Sequence, residues 1–213
     1  MKKTIISCVL FLTAVTAFSQ TPMKTAAEAK LSASDLAVKI ADRILATTTY
    51  EFKNTKTGKT YKSVKNLPLD MNVKVACKYN NWHYTNGVTH IALMELADKT
   101  GAKKYDDYVL KNMNFVFNEG NLDFFKKQYE QAMKNEGWYG VRKLSWHMIF
   151  RGKRLDDNGP MGASLIDLQM KHPNNSFLNY INETAEHLNY GEPRLADGTI
   201  ARIWPHENTI WAD

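Results

Sequence analysis

Apolar residues recur at three- and four-residue spacing along most of the chain, which predicts a mostly helical protein. The predicted helices begin after a cap at Ser34, after a cap at Asn86, near Lys103, near residue 122, at Pro160, and after Asn174 or Asn175. Residues 51–67 lack this spacing and predict a loop or a short pair of strands. Residues 136–158 are mixed in character and predict a long connection that leads to a site.

The predicted helices are joined in pairs by short turns, and longer loops separate the pairs. Short turns make antiparallel neighbours, so the longer loops gather on one face. This arrangement is typical of an all-α toroid built from helical hairpins. An open repeat array, such as a tetratricopeptide protein, is the alternative, but no fixed period recurs and the loops are long and unequal.

The first 19 residues have the pattern of a cleavable signal peptide. Lys2 and Lys3 precede the apolar run 5–17, and small residues stand at the expected cleavage positions before Gln20. A membrane anchor is the alternative, but the run is short for a span of about 20 residues. Residues 20–33 predict a polar leader and 34–213 a single domain. The sequence therefore predicts a periplasmic or secreted protein that has no membrane contact after cleavage.

The predicted signal peptide can be tested by the position of its cleavage site. Mass spectrometry of the exported protein should give a mature chain that starts near Gln20, because signal peptidase cleaves after the small residues that precede it. An intact Met1 in a periplasmic fraction would contradict the prediction.

Charge and cysteine content narrow the function classes. Removing residues 1–19 takes away Lys2 and Lys3 and lowers the net charge from +6 to +4. No basic run with interleaved aromatic residues is present, which argues against a nucleic-acid partner, whereas a mild positive balance suits an anionic substrate. Cys77 is the only cysteine left after cleavage, so an intramolecular disulfide is excluded and a buried thiol is expected.

The sequence offers no familiar metal or nucleophile motif. The histidines are scattered, none pairs with a second ligand at zinc-motif spacing, and neither a nucleophile elbow nor a phosphate loop is present. Aromatic residues are plentiful near Gly, Asn and Asp, as in sugar-binding clefts. For any single ring, an ordinary place in the core remains the alternative.

Polar and small residues crowd around carboxylates in three segments between helices. These segments are 82–87, 154–162 and 194–199, the last leading to 211–213. Asp156 and Asp157 precede a predicted helix, where one carboxylate can serve as a cap. A cap needs only one of the two, so a role in a cleft remains open for the other.

In these segments the chain resembles glycoside hydrolase family 105, the unsaturated rhamnogalacturonyl hydrolases, which are related to the family 88 unsaturated glucuronyl hydrolases. The resembling motifs are Trp82-x-Tyr84-x-Asn86-Gly87, Leu155-Asp156-Asp157-x-Gly159-x-Met161-Gly162-Ala163, Arg194-Leu195-x-Asp197-Gly198-Thr199 and Trp211-Ala212-Asp213. Together they span roughly residues 75–213. The resemblance implies the N-terminal half of an (α/α)6 barrel. Because the family's chain continues past the Trp-x-Asp motif, a truncated chain is expected, and the activity of this piece is open.

The resemblance also implies a site and a reaction. Family members hydrate the C4=C5 double bond of the unsaturated uronyl residue that lyases leave at the non-reducing end of pectin-like chains. Asp213 matches the general acid/base, and Asp157 a second carboxylate that binds or orients the substrate. The expected substrate-binding residues are Trp82, Tyr84, Asn86, Arg154, Asp156 and Trp211. No metal or organic cofactor is implied.

Two other functions remain open. One is a family 88-like hydrolase that acts on unsaturated glucuronyl residues of glycosaminoglycan fragments. The other is a non-catalytic helical protein that binds sugar or serves as a scaffold.

Overall fold

The computed structural model describes residues 32–151 and 155–201, without the side chains of Glu119, Asp156 and Asp157. The chain divides into two compact units, Met1–Lys39 and Ile40–Asp213. The described part of the first unit is the beginning of one helix. Everything that follows on packing and on the site concerns the second unit.

The described residues are mostly helical, which confirms the predicted class. They contain six α-helices: α1 (Ala33–Thr47), α2 (Tyr84–Thr100), α3 (Lys104–Phe117), α4 (Glu119–Val141), α5 (Leu155–Lys171) and α6 (Asn175–Glu186). A 3₁₀ helix covers His147–Phe150, and a π-helical turn covers His187–Gly191. Within the described residues, no helix combines the length and apolar character needed to cross a membrane.

The predicted starts of α1 and α2 are wrong by a few residues. α1 is capped by Ser32 and not by Ser34, since the Ser32 hydroxyl accepts from the Asp35 N–H at 3.1 Å while the Asp35 carboxylate accepts from Ser32. α2 begins after His83, whose Nδ1 accepts from the Thr85 N–H, so Asn86 lies inside the first turn. In contrast, the structure confirms Asn174 as the cap of α6.

A small antiparallel sheet follows α1 and precedes α2 along the chain. Its strands are β1 (Phe52–Asn54), β2 (Thr60–Tyr61) and β3 (Val73–Val75), in the order β2-β1-β3. The pairing of β1 with β2 confirms the predicted short strand pair. β3 was not predicted, because three residues are too few to show an alternating pattern.

The connection before α5 is shorter than predicted. α4 continues to Val141 across a break at Gly137, and α5 begins at Leu155, one turn before Pro160. Pro160 therefore lies inside α5 and not in its first turn, where the sequence predicted it. The connecting segment is 142–154, and its middle is the 3₁₀ helix.

α2 and α5 run side by side in the same direction. Near their beginnings, Gly87 faces the backbone of Pro160 and Met161. Eleven residues further along both helices, the Lys171 Nζ lies 2.8 Å from an Asp98 carboxylate oxygen. Contacts in equal register at both ends require a parallel pair, so the N-termini of α2 and α5 lie at the same end of the fold.

The helices that follow α2 and α5 return in the opposite direction. Lys171, in the last turn of α5, also pairs with Asp106 in the first turn of α3. α6 starts just after α5 ends, and its Tyr180 ring reaches Trp82, beside the start of α2. Two parallel helices with antiparallel neighbours agree with the predicted toroid of helical hairpins. The loops before α2 and α5 therefore gather at one end, as the sequence predicted.

Candidate active site

The loop before α2 is held in place by asparagine side chains. The Asn86 amide donates to the carbonyl oxygens of Lys78 at 2.9 Å and Asn81 at 2.8 Å, which closes the loop onto the helix that follows it. The Asn80 amide donates to the Thr49 carbonyl oxygen at 3.0 Å. Since both amides are buried, they supply partners that backbone carbonyls would otherwise lack.

Asn81 joins this loop to the segment before α5. Its side-chain oxygen accepts from the backbone N–H of Trp82 at 2.9 Å and from that of Trp146 at 2.6 Å. Trp146 is fully buried and has a φ of 60°, a left-handed conformation that bulky residues seldom adopt. The bond from Asn81 helps to hold Trp146 in this conformation, so the two loops are fixed to each other.

Trp82 connects the same loop to α5. Its indole is completely buried, and its Nε1 donates to the Asn158 side-chain oxygen at 3.0 Å. Ring contacts with Tyr180 (5.0 Å between centroids), Phe117 and Trp146 enclose it. The indole therefore contacts protein on its polar and apolar sides, and Asn158 is tied to the loop before α2.

A cavity of about 410 Å³ lies between α5, α6 and the segment before α5. Gly159 and Gly162 line it, and a Cβ on either glycine would meet no atom within 4 Å. The rest of its apolar wall includes Phe150, Ile166 and Ile181. A space of this volume is in the range of small-molecule sites.

The polar groups of this cavity come from α5 and from the end of α6. Asn158 lines it, and so do Glu183 and Thr184. In the π-helical turn, the His187 Nε2 lies 3.1 Å from a Glu192 carboxylate oxygen. Tyr180 also lines the cavity, and burial raises the pKa of its hydroxyl above the ordinary value, so it stays protonated and able to donate.

The structure brings five of the sequence-predicted site residues to the loop-bearing end of the fold. Tyr84 begins α2 and is 46% exposed, whereas Trp82 and Asn86 are buried and bonded within the protein. Asp157 and its neighbour Asp156 belong to the first turn of α5, where the structure describes only their backbone. The other three, Arg154, Trp211 and Asp213, lie outside the described residues, so their roles stay predictions.

Sequence reasoning missed the residues that hold the loops before α2 and α5 in place. Asn81, Asn158 and Tyr180 were not selected, although Asn158 stands inside the carboxylate-bearing segment. The signal that could have pointed to Asn158 is an amide directly after two acidic residues at a helix start. Asn81 and Tyr180 carried no comparable signal, because their partners are 65 and 98 residues away in sequence.

The described histidines and Cys77 do not form a metal site. Among residues 32–151 and 155–201, no group of three His, Cys, Asp or Glu side chains is placed to hold a metal ion. His90 is buried in α2, and burial alone lowers the pKa of its imidazole to about 4. It is therefore neutral near pH 7. Cys77 is a free thiol that is only partly buried, so the expected buried thiol is wrong.

A protein-family model matches most of the chain. The family model described as Glycosyl Hydrolase Family 88 matches residues 54–213, which is most of the chain and includes α2 and α5. A search of curated proteins finds no match.

Proposed function

The chain belongs to glycosyl hydrolase family 88, and from that premise we propose that it removes an unsaturated uronyl residue from the non-reducing end of lyase-generated oligosaccharides. The family 105 motifs 82–87 and 155–163 favour pectin or rhamnogalacturonan fragments as the source of the substrate. The proposed reaction is hydration of the C4=C5 double bond. We further propose that the protein works in the periplasm or outside the cell, with no nucleic-acid partner.

One observation carries this proposal. The first turn of α5, which holds Asp156 and Asp157, lies beside the N-terminus of α2 and next to a cavity of about 410 Å³. The acidic pair expected from the sequence to face substrate is thus at the end of the fold where the loops gather. Helix packing alone would not require two adjacent acidic residues at that end.

The N-terminus of α2 also suits an anionic sugar. The N-terminus of a helix carries a partial positive charge, and α2 has no acidic residue in its first turn to offset it. The exposed Tyr84 stands in that turn. A uronate carboxylate would gain from the dipole of α2 and from the net charge of +4 that remains after residues 1–19 are removed.

In the proposed mechanism, Asp213 acts as the general acid and donates its proton to C4 of the unsaturated ring. Water adds its oxygen at C5, and the proton it loses returns to Asp213. The resulting hemiketal opens and releases the remaining sugar. Asp157 binds or orients the ring, a role that suits the first turn of a helix because that position favours negative charge.

The remaining predicted residues divide by their place in the structure. Tyr84 is exposed at the start of α2 and can contact substrate directly. Trp82 and Asn86 are buried, so we assign them an indirect contribution, through α5 and through the loop before α2. Direct substrate contacts by Arg154, Asp156 and Trp211 rest on the resemblance.

A second candidate function is hydrolysis of unsaturated glucuronyl residues from glycosaminoglycan fragments. It is favoured by the family model, whose description names family 88 and not family 105. The two candidates share the reaction at the double bond and differ in the sugar that is released.

A substrate panel tests both functions. We expect the full-length protein to remove the ultraviolet absorbance of the conjugated double bond from an unsaturated galacturonyl–rhamnose disaccharide faster than from an unsaturated glucuronyl disaccharide. The matched control is the same disaccharide with a saturated uronyl residue, which should release no sugar because the double bond is the reacting group. The opposite order of rates would favour the second candidate, and no turnover of either unsaturated substrate would reject both.

A further inference from the structure

The first turn of α5 is incompletely tied to the rest of its helix. Pro160 has no N–H, so it cannot donate to the carbonyl of Asp156 four residues earlier. Gly159, between them, adds backbone freedom. The turn that carries Asp156 and Asp157 therefore needs another contact to fix its position.

Asn158 supplies such a contact from within the same turn. Its side-chain oxygen accepts from the Trp82 Nε1 at 3.0 Å, and the hydrogen bond is buried. Asn158 is 8% exposed and Trp82 is fully enclosed, so water does not compete for either partner.

Trp82 is a rigid point of reference for that turn. Its ring packs edge-to-face against Tyr180 and Phe117, at centroid distances of 5.0 and 6.4 Å. Its backbone N–H donates to Asn81, which also holds Trp146. The indole is thus fixed by its ring and by its backbone before it meets α5.

We propose that the Trp82–Asn158 hydrogen bond positions the first turn of α5 and, through it, the carboxylate of Asp157. Asp157 and Asn158 are successive residues of one helical turn and lie about 1.5 Å apart along the helix axis. A rotation of that turn therefore moves both residues together. Trp82 and Asn158 are positioning residues in this scheme. The inference rests on the proposed function, because the role of Asp157 comes from it.

The test removes each side of the bond in turn in the full-length protein. Trp82→Phe keeps an aromatic ring and deletes the N–H donor, whereas Asn158→Leu keeps the branched shape of the side chain and deletes the acceptor. We expect Trp82→Phe to lower kcat on the unsaturated disaccharide by about 10- to 100-fold with little change in KM, since misplacement by about 1 Å can cost 100-fold. The double variant should lose no more than the worse single variant, because both remove one bond.

Phe177→Leu is the matched control. Phe177 is a fully buried ring of the same aromatic cluster, at 5.4 Å from Phe117. It should lower the melting temperature as Trp82→Phe does and leave kcat unchanged. If Trp82→Phe does not fold, the double variant tests the positioning role. It leaves neither partner of the Trp82–Asn158 hydrogen bond unpaired in the core.

Each outcome has a distinct meaning. A normal kcat in a folded Trp82→Phe or double variant, or kcat losses that add, would overturn the positioning role while the proposed function stands. Hydrogen exchange of the amides at 155–159 gives a second readout, and it should be faster in Trp82→Phe than in Phe177→Leu. An inactive wild-type protein would reject the proposed function itself, and that result is seen before any variant is made.

Discussion

Asp213→Asn is expected to lower kcat on the unsaturated disaccharide by about 10²–10⁴-fold, the usual contribution of general acid–base catalysis. Asparagine keeps the shape and the hydrogen-bonding capacity of the side chain but cannot donate the proton that C4 needs. Binding should survive, so the variant should still bind the disaccharide when catalysis is absent. The measurement is the rate at which the absorbance of the double bond disappears.

Asp157→Asn is the comparison that separates the two roles. If Asp157 orients the substrate, its loss should raise KM as well as lower kcat, since binding and positioning both depend on the charge. A near-normal rate in Asp213→Asn with no activity in Asp157→Asn would exchange the two roles. Normal turnover in both variants would show that the family motifs misplace the site.

The sequence predicted the six described α-helices, most of which carry a periodic apolar pattern of their own. α3 and α6 have the predicted starts, to within a residue, and Asn174 caps α6 as expected. The errors fall where local signals compete. Ser34 and Asn86 are good capping residues, but Ser32 and His83 take those places because their side chains reach the free N–H groups.

The extent of α5 was harder to predict, for a physical reason. Proline is usual in the first turn of a helix, so Pro160 was placed there. The structure begins the helix at Leu155, and the carbonyl that cannot accept from Pro160 belongs to a turn held by Trp82 through Asn158. A contact between residues 76 positions apart leaves no trace in local periodicity.

Some of the residues predicted for the site are buried and support it from the protein interior. Trp82 and Asn86 belong to a family motif, and the structure shows both engaged in hydrogen bonds within the protein. Motif matching selects residues that a fold needs, whether they face the substrate or the core. The burial of a side chain separates these two cases. Burial depends on long-range packing, which local sequence patterns do not reveal.

Gly87 has the clearest structural requirement in the same motif. A Cβ on Gly87 would lie 2.5 Å from the backbone nitrogen of Met161 and 2.6 Å from the carbonyl oxygen of Pro160. Both atoms belong to the backbone of α5, so no side chain can turn aside to make room. α2 and α5 would have to move apart at the end where the candidate site lies.

Gly87→Ala is therefore expected to lower the free energy of unfolding by about 3 kcal/mol, at the upper end of overpacking effects. For a chain of this size the melting temperature should fall by roughly 10 °C. The matched control is Gly162→Ala in α5, where the new methyl group would meet no atom within 4 Å. There alanine should stabilise by about 0.5–1 kcal/mol, because it restricts the unfolded chain more than glycine does. Thermal unfolding of the two variants beside the wild type is the measurement, and equal melting temperatures would refute the close helix contact at Gly87.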